Sequence, residues 1–227
     1  MNTRSPFKIH PALALAFAGA RGFGVMIAPD GGRPVAASVP FLLIEADGKS
    51  PRVAFHVARS NPLAALAVKG GYWLLAVQGA DAYVSADWYP GSGQVPTWLY
   101  ETVQLSGPVH VVPPDHAGGH LDALTERFER ALAPKPSWSK ERVAPERLNM
   151  LMQGIVAIEM LVEDIDGTFK LNQHKADADY AAVTAALAAR ADEGSRTIAA
   201  RMAALRPHLL YDRPGAAGCV STAGGGH

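Results

Sequence analysis

The stretch from Gly22 to Ile44, GFGVMIAPDGGRPVAASVPFLLI, decides the reading of the fold. Gly22 to Ala28 is an apolar run suited to a strand, and Pro34 to Ile44 is a second one. Asp30-Gly31-Gly32 between them is a strong turn signal. Two apolar runs across so short a turn make an antiparallel hairpin. A fold that begins this way has to cover or pair its outer strand edges, and a small barrel is one solution.

Outward from this hairpin the pattern continues. Upstream, Pro11 to Phe17 is a short helix with proline at a favourable first position. Downstream, Ala46 to Ser50 turns the chain, and Arg52 to Ala58 is a third strand. Asn61 caps a helix that starts at Pro62 and runs to Lys69, where Gly70-Gly71 ends it. Tyr72 to Val77 and Ala82 to Ser85 read as two strands. Pro90 to Gln94 is a loop. Thr97 to Leu105 is a strand, and Val109 to Val112 follows it closely.

The second half changes character. Asp115 to Ala133 carries Leu121, Leu124, Phe128 and Leu132 at helical spacing. Pro145 to Gln153 is a shorter helix. Ile155 to Ile165 reads as one long apolar strand, followed by a turn at Asp166-Gly167 and a short strand from Thr168 to Leu171. Asp177 to Arg190 and Ser195 to Leu205 are Ala-rich helices. The expected organisation is one α+β domain over residues 1–206, an antiparallel barrel with added helices, and a flexible tail over residues 207–227.

Composition narrows the function classes. With 48% hydrophobic and 19% charged residues in 227, the chain is globular rather than disordered. Twenty-one basic residues balance twenty-one acidic ones, which removes any general attraction to a phosphate backbone. The one cysteine, Cys219, cannot form an internal disulfide, which fits a reducing compartment. No apolar run reaches the length of a membrane span, so a cytoplasmic location is expected.

Three segments carry chemistry. His56-Val57-Ala58-Arg59-Ser60-Asn61-Pro62 lies where a strand meets a helix. Arg59 offers a fork of donors for phosphate oxygens, Ser60 a hydroxyl, and the helix start a positive dipole end. The same residues also read as a helix cap beside a surface arginine. Tyr83, Trp88, Tyr89, Trp98 and Tyr100 flank one Gly-rich loop, where rings stack on a planar ligand or simply pack. Lys170 and Gln173, between a strand and a helix, suit an anionic or carbonyl-bearing ligand or a polar helix entry. His116 and His120 share a helix face, but two imidazoles without a third ligand make no metal site, and none is expected. Rossmann, Walker, HExxH and Gly-x-Ser-x-Gly patterns are absent from the sequence.

Taken together, these segments resemble the PaiB family, also described as FMN-binding negative transcriptional regulators. The resemblance rests on His56 to Pro62, on Tyr83-Val84-Ser85 through Trp88-Tyr89 to Pro96-Thr97-Trp98 and Tyr100, and on Ile155-Val156, Gly167, Lys170-Leu171 and Gln173, in that order. It departs from the family at Ser38, Leu99 and Asn172. What it implies is an FMN-binding split β-barrel working as a homodimer. Ser38 and Val39 would line the isoalloxazine. His56, Val57, Arg59, Ser60 and Asn61 would hold the phosphate and ribityl chain, with Lys170 and Gln173 near the ligand and Thr97 and Trp98 closing the site. A DNA-linked regulatory role follows from the resemblance alone. A flavin-dependent oxidoreductase, or an interaction module that has lost FMN, are the alternatives; no catalytic residue is assigned.

Overall fold

A computed structural model of the protein describes residues 6–45 and 49–211. Most of the expected Ala46 to Ser50 turn, and the tail that holds Cys219, lie outside the described residues. Helix α1 (Pro11–Arg21) precedes strands β1 (Phe23–Asp30), β2 (Arg33–Ile44) and β3 (Arg52–Ala58). Helix α2 (Pro62–Lys69) is followed by β4 (Tyr72–Val84) and β5 (Thr97–Val111). Then come α3 (Pro114–Arg130), α4 (Pro145–Gln153), β6 (Ile155–Leu161), β7 (Asp164–Lys170), α5 (Asp177–Ala188) and α6 (Glu193–Leu205).

The opening hairpin forms as its turn demands. Asp30 pairs with Arg33, and the two residues between them, Gly31 and Gly32, have φ of 57° and 90°. A two-residue hairpin turn with both centres left-handed is open mainly to glycine. The seven strands run in the order β4-β1-β2-β3-β6-β5-β7, and β4 also pairs with β5. That extra pairing joins the first strand to the sixth, so six strands close a ring, the split β-barrel of an α+β fold.

By contacts the chain forms two compact units, where the sequence suggests one domain over residues 1–206. The barrel unit comprises Ile9–Gln78 and Thr102–Gly167. Its core follows strand alternation. Val53, Phe55 and Val57 of β3 are buried opposite Met160, Ile158 and Val156 of β6. Trp73, Leu75 and Val77 of β4, Met26 and Ala28 of β1, and Val103 and Leu105 of β5 are buried with them. Each large side chain removed from water in this way contributes roughly 1.5–3 kcal/mol before chain entropy is subtracted.

The helical unit consists of Gly79–Glu101 with the segments before Ile9 and after Gly167. Tyr180, Val183 and Leu187 of α5 pack with Ile198 and Met202 of α6, and with Val84, Leu99 and Leu171. The Tyr180 hydroxyl donates to the Met202 carbonyl at 2.9 Å, and the Arg206 guanidinium lies 4.2 Å from the Tyr180 ring centre. Leu209 and Tyr211 also pack on this cluster, so ordered packing continues past Pro207.

Several sequence expectations change. Tyr72 to Ser85 is essentially one strand, and so is Thr97 to Val112; neither Gly79 nor Gly107-Pro108 interrupts its pairing. The run from Ile155 to Ile165 is broken after Leu161, because Val162 N–H bonds to Pro51 O and Glu163 N–H to Ser106 O. Asp166-Gly167 is not a turn but lies inside β7. On α3, only Leu124 of the expected apolar stripe is buried; Phe128 and Leu132 are exposed.

Candidate functional site

The junction of β3 with α2 lies in the barrel unit. Asn61 accepts from Leu63 N–H at 2.9 Å, and Ala64 N–H bonds to the Asn61 carbonyl. These bonds, with Pro62 lacking an N–H, use up the first turn of α2. Arg59 Nε donates to the Gln153 carbonyl at 2.8 Å and Nη2 to the Ile155 carbonyl at 3.0 Å. Two of the five guanidinium N–H groups are thereby committed to the turn between α4 and β6. Arg59 and Ser60 are both exposed, whereas Val57 is buried in the barrel. Arg59 lines a cavity of about 470 Å³ with Val111, Asn149, Met152, Gln153 and Val156.

On β2, Ser38 is exposed and pairs with Val25 of β1, while Val39 is buried opposite Gly24. Phe23 and Val25, on the same outer face of the hairpin as Ser38, are 50% and 37% exposed. This apolar strip beside Ser38 is open to a ligand or to a second chain.

His56 takes a different direction. Alternation turns its side chain away from Phe55 and Val57, to the barrel's outer face beneath α3. There His56 Nδ1 lies 3.3 Å from His120 Nε2. Burial lowers the pKa of His56. Burial, and then the neighbouring His56, push His120 down to about 4, with Glu159 opposing. The proximity of His120 to His56 was not legible in the sequence; the helical pairing of His116 with His120 was the one available signal.

In the helical unit, Lys170 Nζ donates to Thr97 Oγ1 at 2.5 Å. Trp98 is 54% exposed and meets the Tyr83 ring edge-on at 5.9 Å between centres. An exposed aromatic pair of this kind suits a planar ligand. Gln173 is spent locally: its amide donates to the Phe169 carbonyl and accepts from Leu171 N–H. Two departures from the family pattern have packing explanations. Leu99 is fully buried in the core. Asn172 is fully buried at φ 59° and bonds the Tyr89 hydroxyl, a left-handed position that asparagine tolerates.

A closed antiparallel ring with helices on its outer face and a strand-to-helix junction bearing Arg59 and Ser60 defines a flavin-binding split-barrel protein. Residues 1–164 match the family described as "Putative FMN-binding domain", and the chain belongs to that family. The chain is 29% identical over 158 residues to Protease synthase and sporulation protein PAI 2 of Bacillus subtilis (strain 168), covering 70% of this chain and 74% of that protein. This bears out the resemblance to PaiB. Among solved structures, the FAD and Heme binding protein from Mycobacterium smegmatis is similar, with a TM-score of 0.51 and 20% identity over 77% of this chain and 78% of that one. Conserved hypothetical protein Rv2991 from Mycobacterium tuberculosis is similar too, with a TM-score of 0.53 and 12% identity over 75% and 91%. Both likenesses concern the fold.

FMN is the cofactor that the family defines. The residues present suit it: an exposed guanidinium with N–H groups to spare and an exposed hydroxyl suit a phosphate, and a half-apolar strand face suits a flat ring. Among the described residues, no helix is long and apolar enough to cross a membrane.

Proposed function

We propose that the chain works as a homodimeric FMN-binding protein of PaiB type with a regulatory role in transcription. The observation that carries the flavin contacts is the exposed pair Arg59-Ser60 at the end of β3. In this reading Arg59 holds the phosphate with the N–H groups left over from its carbonyl bonds, and Ser60 adds a hydroxyl. Asn61 shapes the junction by capping α2. Ser38 and Val39 present strand backbone to the ring. His56 and Val57 contribute backbone only, since their side chains face α3 and the core. Lys170, Thr97, Trp98 and Gln173 form the second set of proposed contacts. Bound FMN supplies a planar, redox-active ring; the protein supplies its orientation and its shelter from water.

The exposed strip of Phe23 and Val25 supports dimerisation, because an apolar sheet face is stabilised when a second copy covers it. The regulatory role rests on the resemblance to the PaiB family alone. With charges in balance, sequence-specific DNA binding by this chain alone is expected to be weak. A nanomolar operator complex at physiological salt would revise that last point.

The test is the visible spectrum of purified protein with and without added FMN, alongside size-exclusion chromatography with light scattering. The expected result is a yellow or FMN-quenching protein at about twice the 24.0 kDa chain mass. A colourless protein that leaves FMN fluorescence unchanged, or a stable 24.0 kDa species, would overturn the corresponding half of the reading.

A further inference from the structure

Helix α4 has little that packs it down. None of its nine residues is buried, and no side chain caps its first turn. A helix of this length is marginal in water and takes its order from what it docks against. Part of the space beside it is open rather than filled. Asn149, Met152 and Gln153 of α4 line the cavity of about 470 Å³ together with Val111 of β5 and Val156 of β6.

The C-terminal end of α4 is tied by Arg59. The Arg59 backbone N–H donates to the Gly154 carbonyl at 2.8 Å, its Nε to the Gln153 carbonyl at 2.8 Å and its Nη2 to the Ile155 carbonyl at 3.0 Å. Three consecutive carbonyls therefore accept from one residue, and two of these bonds come from its side chain. A cation at a helix C-terminus is favoured by the dipole there as well. The same arginine lines the cavity and is exposed at the end of β3.

We propose, resting on the assignment of Arg59 to the FMN phosphate, that Arg59 couples flavin occupancy to α4, which acts as a strap drawn onto the barrel when the phosphate fixes the guanidinium. An exposed arginine keeps much of its rotamer freedom, and its two carbonyl bonds exchange for water at small net cost. In the free protein α4 is therefore docked only part of the time. A phosphate held by the remaining N–H groups removes that freedom. The guanidinium is a rigid plane, so fixing one edge fixes the other. The carbonyls of Gln153 and Ile155 then meet donors already in place, and α4 docks without a second loss of arginine entropy. By linkage, a docked α4 strengthens FMN binding by the same factor. α4 carries the exposed pair Met150 and Leu151, so flavin occupancy decides whether this apolar surface is held in one place.

The experiment is hydrogen exchange read by mass spectrometry on the full chain, free and saturated with FMN, with FMN affinity taken from fluorescence quenching. In the free protein the α4 amides should exchange much faster than those of β3 and β6. FMN should slow them by roughly tenfold, within the usual range of coupling between sites. Arg59→Ala should speed them further in the free protein, an effect that needs no flavin. Leu151→Gly, on the exposed side of α4, should weaken FMN by about threefold through lost helix propensity alone. Ala200→Gly, a similar change at an exposed position of α6, should leave FMN affinity unaltered. Melts of each variant check that the protein remains folded. Three outcomes would overturn the coupling and leave the flavin reading intact: FMN that binds without slowing α4 exchange, α4 amides already as slow as those of β6 in the free protein, or free Arg59→Ala with α4 exchange like the wild type. FMN affinity unmoved by Leu151→Gly would overturn it equally. A protein that takes up no FMN would overturn the flavin reading and the coupling together.

Discussion

Arg59 spends two N–H groups on the carbonyls of Gln153 and Ile155 and keeps the rest at an exposed strand end. It therefore ties the turn between α4 and β6 while offering charge to a ligand. Arg59→Ala should weaken FMN binding by about tenfold to a hundredfold, the worth of one charge-assisted hydrogen bond. It should also lower the melting temperature by a few degrees, because two backbone carbonyls lose their donor. FMN fluorescence quenching and apo-protein melts on both proteins check this; unchanged FMN affinity would leave Arg59 a purely structural clamp. Glu101 behaves differently. It is 2% exposed, and burial raises its pKa, opposed by Arg201 at 3.3 Å. A carboxyl whose folded pKa exceeds its unfolded one adds stability at low pH, and that stability is lost as pH rises through the folded value. Glu101→Gln should thus flatten the fall in stability as pH rises above the ordinary carboxylate range and leave the protein at least as stable at the alkaline end. Denaturant titrations across that range measure it, and an unaltered pH profile would show that the carboxyl stays charged throughout.

At the scale of elements, glycine proved the most misleading letter in the sequence. Asp166-Gly167 has the composition of a turn, yet a Cβ on Gly167 would come within 2.5 Å of the Ile9 side chain and 3.0 Å of Ala14. The glycine lets the start of α1 approach β7. Gly107, which falls between two runs read as separate strands, lies inside β5, where a Cβ would sit 1.7 Å from the Leu161 carbonyl. Gly107→Ala should cost about 3 kcal/mol or more, at or beyond the upper range of overpacking, since the obstacle is backbone rather than a flexible side chain. Urea denaturation would show it, and a loss below about 1 kcal/mol would mean that the crossing of β5 with the segment after β6 has slack. By contrast, the β1–β2 hairpin, β3 and α2 were legible to within a residue or so. Their signals are local: a Gly-Gly turn, β-branched runs, and Asn-Pro at a helix start.

For the molecule as a whole, each unit owns a core, and Leu209 and Tyr211 extend that of the helical unit past Pro207. The remaining sequence is rich in Gly and Ala and offers little to bury. Deleting Pro214 to His227 should therefore shift the melting temperature by less than about 2 °C, whereas deleting from Pro207 should lower it by several degrees. A large drop on the shorter deletion would show that the last residues dock. The candidate site was half legible. Arg59, Ser60 and Asn61 stand out because strand end, cation and helix cap are neighbours in the chain. His120 did not, because its partner His56 is 64 residues away.

By itself the sequence determined the strand–helix junction at Arg59, the opening hairpin, the cap of α2 and the family to which the chain belongs. All of these depend on residues adjacent along the chain, where periodicity and turn chemistry act directly. Only the tertiary structure decided which face of β3 carries His56, which nitrogens oppose each other beneath α3, and which carbonyls occupy Arg59. Those outcomes depend on strand register and on the docking of a helix from far along the chain. They are settled by close packing over many residues at once, and no local signal encodes them.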